Sequence, residues 1–271
     1  MNIEKYIKTQ HIERFNYIYP FLDNLIKTLK KFNDEELIKN KKIQKKENLI
    51  IYLDRIEHDM YLKKKLQELY FVPVITKIQN FDFDINNNTF KDYWILDTFT
   101  NDDPTFNSTN ITLMYDNYPF LSLIFNHYTK DIILSIRLLG VYKIINFNKF
   151  SDIEKDTDTL EIVLTENILD SNNPKLNRFL RYFKEDVYIV KNYEDILFSM
   201  LEDCYSCGIL NNIPIFNLVC YYNLFKSLNY EVLDDDYNQL NFDHISSVNY
   251  IIIISKFKNI LNLNLERLNL N

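Results

Sequence analysis

The chain has 271 residues, 46% of them apolar, with 20 Tyr, 20 Phe and a formal net charge of −7. A chain of this length buries one large or two small cores without a disulfide or metal, and its composition excludes a disordered protein. It holds no alanine and only two glycines, Gly140 and Gly208. That excludes phosphate loops built on clustered glycines: the dinucleotide fingerprint, the P-loop, the kinase loop and the G-x-S-x-G elbow.

Tyr19, Leu22, Leu25, Ile26 and Leu29 recur at helical spacing and predict a helix over 16–31. Asn33, with Glu36 three residues on, forms a capping box for a second helix that runs to Tyr70, before Pro73. Its stripe is Leu49, Leu53, Ile56 and Met60, continued by Leu62, Leu66 and Leu69. Residues 74–78 and 93–96 read as strands joined through Asn86-Asn87-Asn88, and a polar loop spans 101–110. Phe120, Ile124, Tyr128, Ile132 and Ile136 line up four residues apart and predict an apolar helix over 119–139, capped by Gly140. Strands are then expected at 141–145, 160–164, 187–190, 230–233 and 248–254. Helices are expected at 175–184, at 193–207 ending at Gly208, at 213–228 with Pro214 in its first turn, and beyond Lys256.

The pattern predicts an α/β or α+β protein, with a helix-rich N-terminal part followed by a mixed sheet covered by helices. The expected division is a helical part with a β-hairpin over 1–105 and an α/β part over 106–271, which also reads as one continuous domain. No apolar run reaches the ~18 residues of a membrane span. The first residues lack the apolar core of a secretion signal, so a cytoplasmic protein is expected.

Cys204, Cys207 and Cys220 form an odd, sparse set that suits a reducing compartment. Their spacing, with His244 as a fourth ligand, admits zinc or redox chemistry. Cys204 and Cys220 however continue apolar stripes, where cysteine acts as a small apolar residue. Neither Asp82-Phe83-Asp84 nor Asp234-Asp235-Asp236 has the glycine of a Ca²⁺ loop, and no His-x-x-x-His pair occurs. No metal or cofactor is expected.

Charge is unevenly spread: residues 1–100 carry 17 basic and 15 acidic side chains, residues 101–271 carry 14 and 23. An acidic surface repels phosphate backbones, which disfavours nucleic-acid binding. The lysines of 39–46 and Lys63-Lys64-Lys65 read as a solvated helix face. Glu231, Asp234, Asp235 and Asp236 form an acidic loop, either a solvated turn or a contact for a basic partner. The alternative is an enzyme, a metal-independent tRNA anticodon ribonuclease using His58, His127 and His244 as acid–base groups and Arg137 as the cation. Nothing in the spacing of those residues shows that they act together. The wealth of Tyr and Phe makes homodimerisation an expectation.

Ile and Asn each occur 35 times, and lysine outnumbers arginine 25 to 6. This profile is that of a very AT-rich gene, since Ala, Gly, Arg and Pro codons need G and C. In composition and size the chain resembles the immunity proteins of yeast cytoplasmic linear killer plasmids, and less specifically an insect-poxvirus accessory protein. The first resemblance implies a cytosolic antitoxin that binds and occludes a basic tRNA-cleaving toxin, without catalysis or cofactor.

Overall fold

A computed structural model describes residues 22–31, 48–76, 90–99, 108–137, 139–147, 149–152, 162–165, 187–190, 207–211, 213–234, 238–240 and 251–255, and the single residues Ile168, Pro174, Asn177, Leu180, Met200 and Leu201. The chain divides into two compact units, one of residues 1–83 and 88–152, the other of residues 84–87 and 153–271.

The first unit is a seven-stranded sheet with helices on one face. Helix α1 covers residues 22–31 and α2 spans Asn48–Leu69. The strands are β1 (Val74–Thr76), β2 (Tyr93–Phe99), β3 (Ser108–Tyr115), β4 (Tyr118–Asn126), β5 (Ile132–Ile136), β6 (Gly140–Ile145) and β7 (Lys149–Asp152), hydrogen-bonded in that order. β1 runs parallel to β2, and every later neighbour is antiparallel.

Side chains alternate between the faces of a strand. Trp94, Leu96, Ile111, Leu121, Leu123, Phe125, Ile132, Leu134 and Ile136 fall on one face, where Leu22, Leu25 and Leu29 of α1 and Leu62 and Leu66 of α2 complete the core. Each buried leucine contributes about 2 kcal/mol of transfer free energy. The other face is more polar yet also buried. It carries Asp97, Asn110, Thr112, Ser122 and Ser135 beside Ile95, Ile124 and Ile133.

The helix expected over 119–139 is instead the β4–β5 hairpin. Its two strands are apolar at most positions on both faces, so a four-residue row can be drawn through them by chance. The deciding features are Pro119 and the turn after Asn126. The Asn126 side-chain oxygen accepts hydrogen bonds from the backbone N–H groups of Tyr128 and Thr129, which closes an Asx turn. Gly140 caps no helix: it opens β6 at a φ of 116°, a conformation suited to glycine. β3 and β4 meet through Asp116-Asn117, both with positive φ, as a tight hairpin turn requires.

The second unit holds a five-stranded mixed sheet in the order β11-β12-β10-β8-β9. These strands are β8 (Ile162–Thr165), β9 (Val187–Val190), β10 (Cys207–Asn211), β11 (Glu231–Leu233) and β12 (Ile251–Ser255). β8 is parallel to both β9 and β10, whereas β12 is antiparallel to β10 and β11. Helix α3 (Ile215–Ser227) begins after Pro214, close to the expected start. It ends with Asn229 in the left-handed region. There the Tyr230 N–H returns to the Phe225 carbonyl and the Asn229 N–H to that of Lys226, a Schellman closure. The Tyr230 and Phe225 rings pack edge to face across it, 5.3 Å apart.

Gly208 does not end a helix but lies within β10, opposite Ile254. The fold is thus mixed α/β, with two mixed sheets and helices packed against them. Residues 32–47 of the expected second helix and the segment beyond Lys256 lie outside the described residues, as do Asp82, Phe83 and Asp84. No helix among the described residues is long and apolar enough to cross a membrane.

Candidate functional site

Ligand sites of α/β sheets gather where parallel strands end. In the first unit β1 ends at Thr76, paired with Leu96, and β2 runs on through Asp97 and Thr98. Polar residues concentrate at this edge, on both faces of the sheet.

On the helix-covered face, the Thr98 hydroxyl lies 2.6 Å from Asp59 Oδ1 and 2.9 Å from His58 Nδ1. A hydroxyl has one proton. Thr98 donates it to the carboxylate and therefore accepts from His58, which fixes the proton of that imidazole on Nδ1. His58 and Asp59 belong to α2, and all three residues are buried. Thr109, opposite Thr98 on β3, places its hydroxyl 2.7 Å from His127 Nε2. The His127 ring meets the His58 ring edge-on at 5.5 Å and the Phe125 ring at 4.9 Å. Desolvation first, then the neighbouring His58 and Lys130, push the His127 pKa down to about 3. Lys130 donates to the His127 carbonyl, so its ammonium is held nearby. His127 is therefore neutral at neutral pH, a hydrogen-bonding group rather than a cation.

On the opposite face Asp97 is fully buried and stands directly across from Asn110 of β3. Directly opposed side chains have their Cβ atoms about 5 Å apart. The Asn110 side-chain oxygen is buried without a hydrogen-bond partner among the described residues. Next along this face, the Thr112 and Ser122 hydroxyls lie 3.3 Å apart, and Ser135 follows in register with Ser122. A carboxylate, an amide and three hydroxyls thus line a buried face that could have been apolar.

The candidates from the sequence divide. His58 and His127 come together. Arg137 does not join them: it stacks at 3.9 Å over the Tyr118 ring, at the start of β4, whereas His127 follows the end of that strand. His244, Asp235 and Asp236 lie outside the described residues, as does Cys204. Glu231 sits on β11 and Asp234 after it, where its carboxylate accepts the Asn238 N–H at 2.8 Å and closes a local turn. Cys207 and Cys220 are buried free thiols, and burial pushes the Cys207 thiol up to about 12.

Sequence reasoning overlooked Asp97, Asn110, Thr98, Thr109 and Asp59. Asp97 left a signal: it is the lone acid in the aromatic and aliphatic run Tyr93–Phe99.

No protein-family model matches the chain, and no curated protein matches it. Solved structures do. An IMPase/NADP phosphatase complexed with Mg²⁺ and phosphate aligns over 92% of this chain and 95% of its own, at 15% identity and a TM-score of 0.64. Inositol monophosphatase-II from Staphylococcus aureus MSSA476 aligns over 93% and 94%, at 14% identity and a TM-score of 0.64. CysQ from Bacteroides thetaiotaomicron, a bacterial member of the inositol monophosphatase family, aligns over 74% and 84%, at 13% identity and a TM-score of 0.55.

The fold is that of the inositol monophosphatases. This likeness overturns the resemblance to killer-plasmid immunity proteins, and with it the antitoxin reading, the basic toxin partner and the expectation of a non-enzyme. It equally displaces the anticodon ribonuclease and the viral accessory protein. The error has a physical cause: composition reports the base content of a gene, and an AT-rich gene can encode any fold. The scarcity of glycine excluded glycine-built phosphate loops but not phosphate chemistry, since cations and side-chain donors also hold phosphate.

The Mg²⁺ in one of these structures calls for a test of fit. Mg²⁺ takes a near-octahedral set of oxygens, one or two of them from carboxylates. Among the described residues no group of three or more His, Cys, Asp or Glu is placed to hold a metal. Asp97 with the Asn110 amide oxygen supplies one anionic and one neutral donor. The described residues alone do not make up such a site.

Proposed function

We propose that this protein is a phosphatase of the inositol monophosphatase fold, acting on a small phosphate monoester. The observation that supports this most is the alignment over more than nine-tenths of both chains with phosphatases, one of them holding Mg²⁺ and phosphate. The local chemistry agrees with it. Asp97 is a carboxylate buried among apolar strands, the kind of group a fold keeps for function because burial costs it solvation. Buried free thiols fit a reducing compartment, and we place the protein in the cytoplasm.

A single experiment tests this reading. The purified chain is incubated with a panel of phosphate monoesters, including inositol monophosphate and a nucleoside 3′-phosphate, with and without Mg²⁺, and released inorganic phosphate is measured. Release above the blank that vanishes in Asp97→Asn supports the phosphatase. No release from any ester of the panel, with or without Mg²⁺, sinks it.

A further inference from the structure

We infer that the groove between α1 and α2 binds a small polyanion, a molecule with two or more phosphate groups, at a place separate from Asp97. The groove has a volume of about 300 Å³ and is lined by Asn24, Lys27, Thr28 and Lys31 of α1 and by Tyr61, Lys65, Glu68 and Leu69 of α2. Both helices turn their leucines to one face of the sheet. Asp97 belongs to the other face by strand alternation, so the sheet separates the two places.

The spacing on the helices makes the groove. Asn24, Lys27, Thr28 and Lys31 repeat at three and four residues and share one side of α1; Tyr61, Lys65, Glu68 and Leu69 do the same on α2. Three ammonium groups therefore converge from two helices on one small space. Exposed Lys30 and Lys64 stand beside it. This concentration of positive charge lies in a chain whose net charge is −7, so it is a local feature of the surface.

Two carboxylates temper it: Asp23 pairs with Lys27 and Glu68 with Lys65, each at 2.5 Å. Both pairs are solvent-exposed, and exposed pairs contribute little. A multiply charged ligand displaces them by offering more charge to the same lysines. Lysine suits this exchange, because its head is a compact charge on a flexible stem. Lys27 and Lys31 lie one helical turn apart and Lys65 reaches in from α2. Three cations sharing one groove favour a ligand that carries more negative charge than a single phosphate. The Tyr61 hydroxyl and the Asn24 amide add neutral donors. An extended nucleic-acid backbone needs a longer basic track, and the acidic remainder of the chain opposes it.

Calorimetric titration of the full chain with inorganic tripolyphosphate, in EDTA to silence metal-dependent binding, tests the proposal. Saturable one-to-one binding that weakens with added salt is expected. The triple variant K27Q/K31Q/K65Q weakens it by about tenfold or more with an unchanged urea midpoint, and Lys31→Gln alone by about threefold. Asp97→Asn binds like the parent, which separates this site from the phosphatase reading. Phosphatidylcholine vesicles with and without a phosphatidylinositol bisphosphate give the source: co-sedimentation lost in the triple variant assigns the phosphates to a lipid headgroup, and its absence assigns them to a soluble ligand. Failure of tripolyphosphate to bind, equal affinity in the triple variant, or binding confined to a single-stranded RNA probe overturns the inference.

Discussion

His58 of α2 and His127 after β4 meet edge to face, their ring centroids 5.5 Å apart, and each is held by a threonine from the neighbouring strands β2 and β3. Burial in this desolvated space, with His58 and Lys130 beside it, makes His127 resist protonation. The arrangement ties α2 to the far end of the β4 strand.

Its first consequence is pH dependence. His127 titrates at about 3 in the folded chain, against about 6.5 when unfolded. The folded pKa is depressed, so the unfolded state binds more protons between those values. The stability that the neutral imidazole contributes is complete above about pH 6.5 and declines as pH falls towards 3. Between about pH 6.5 and pH 5 the loss amounts to at most about 2 kcal/mol, less where solvent reaches the ring. Urea midpoints across that interval measure it, and His127→Gln is expected to flatten the slope. An identical slope in the variant assigns the effect to other groups.

Thr98 is the joint of this network, since its hydroxyl both donates to Asp59 and accepts from His58. Thr98→Val keeps shape and removes both bonds, leaving a carboxylate and an imidazole buried with lost partners. A destabilisation of about 2–4 kcal/mol is expected, and Thr98→Ser is expected to recover most of it. Thermal or urea unfolding of the two variants side by side decides. Equal losses would point to packing of the Thr98 methyl rather than to its hydroxyl.

Much of this was legible in the amino-acid order, and the exceptions share a cause. The strands beginning at Val74, Tyr93 and Val187 and the helix after Pro214 announce themselves through β-branched and aromatic runs or a proline start. The β4–β5 hairpin did not, because residues apolar on both faces of a buried strand leave no two-residue period to read. The site was harder still. Thr98, Asp59 and the two histidines come from α2, β2 and the turn after β4, so only the folded sheet brings them together. The polar row Thr112, Ser122 and Ser135 is a property of registers across β3, β4 and β5, which no local window contains.

Asn229 carries a small, separable part of the stability. Its φ of 63° closes α3 in a conformation that a Cβ disfavours, and asparagine tolerates it better than alanine does. Asn229→Ala is expected to cost about 1 kcal/mol, and Asn229→Gly to leave stability within about 0.5 kcal/mol of the parent or raise it. Denaturant titration ranks the three chains. Alanine equal to asparagine would show that the helix end relaxes to another closure.

Asp97 is where structure and activity should part company. Its carboxylate is fully buried opposite Asn110, so its charge costs solvation and a neutral isostere does not. Asp97→Asn keeps volume and shape. Folding stability is therefore expected to stay level or rise by about 1 kcal/mol, while phosphate release from the best substrate of the panel falls by about a hundredfold or more. That opposed pair of effects distinguishes a residue kept for chemistry from one kept for packing. A variant that loses stability but keeps its turnover would assign Asp97 to the scaffold and move the search for reacting groups away from the end of β2.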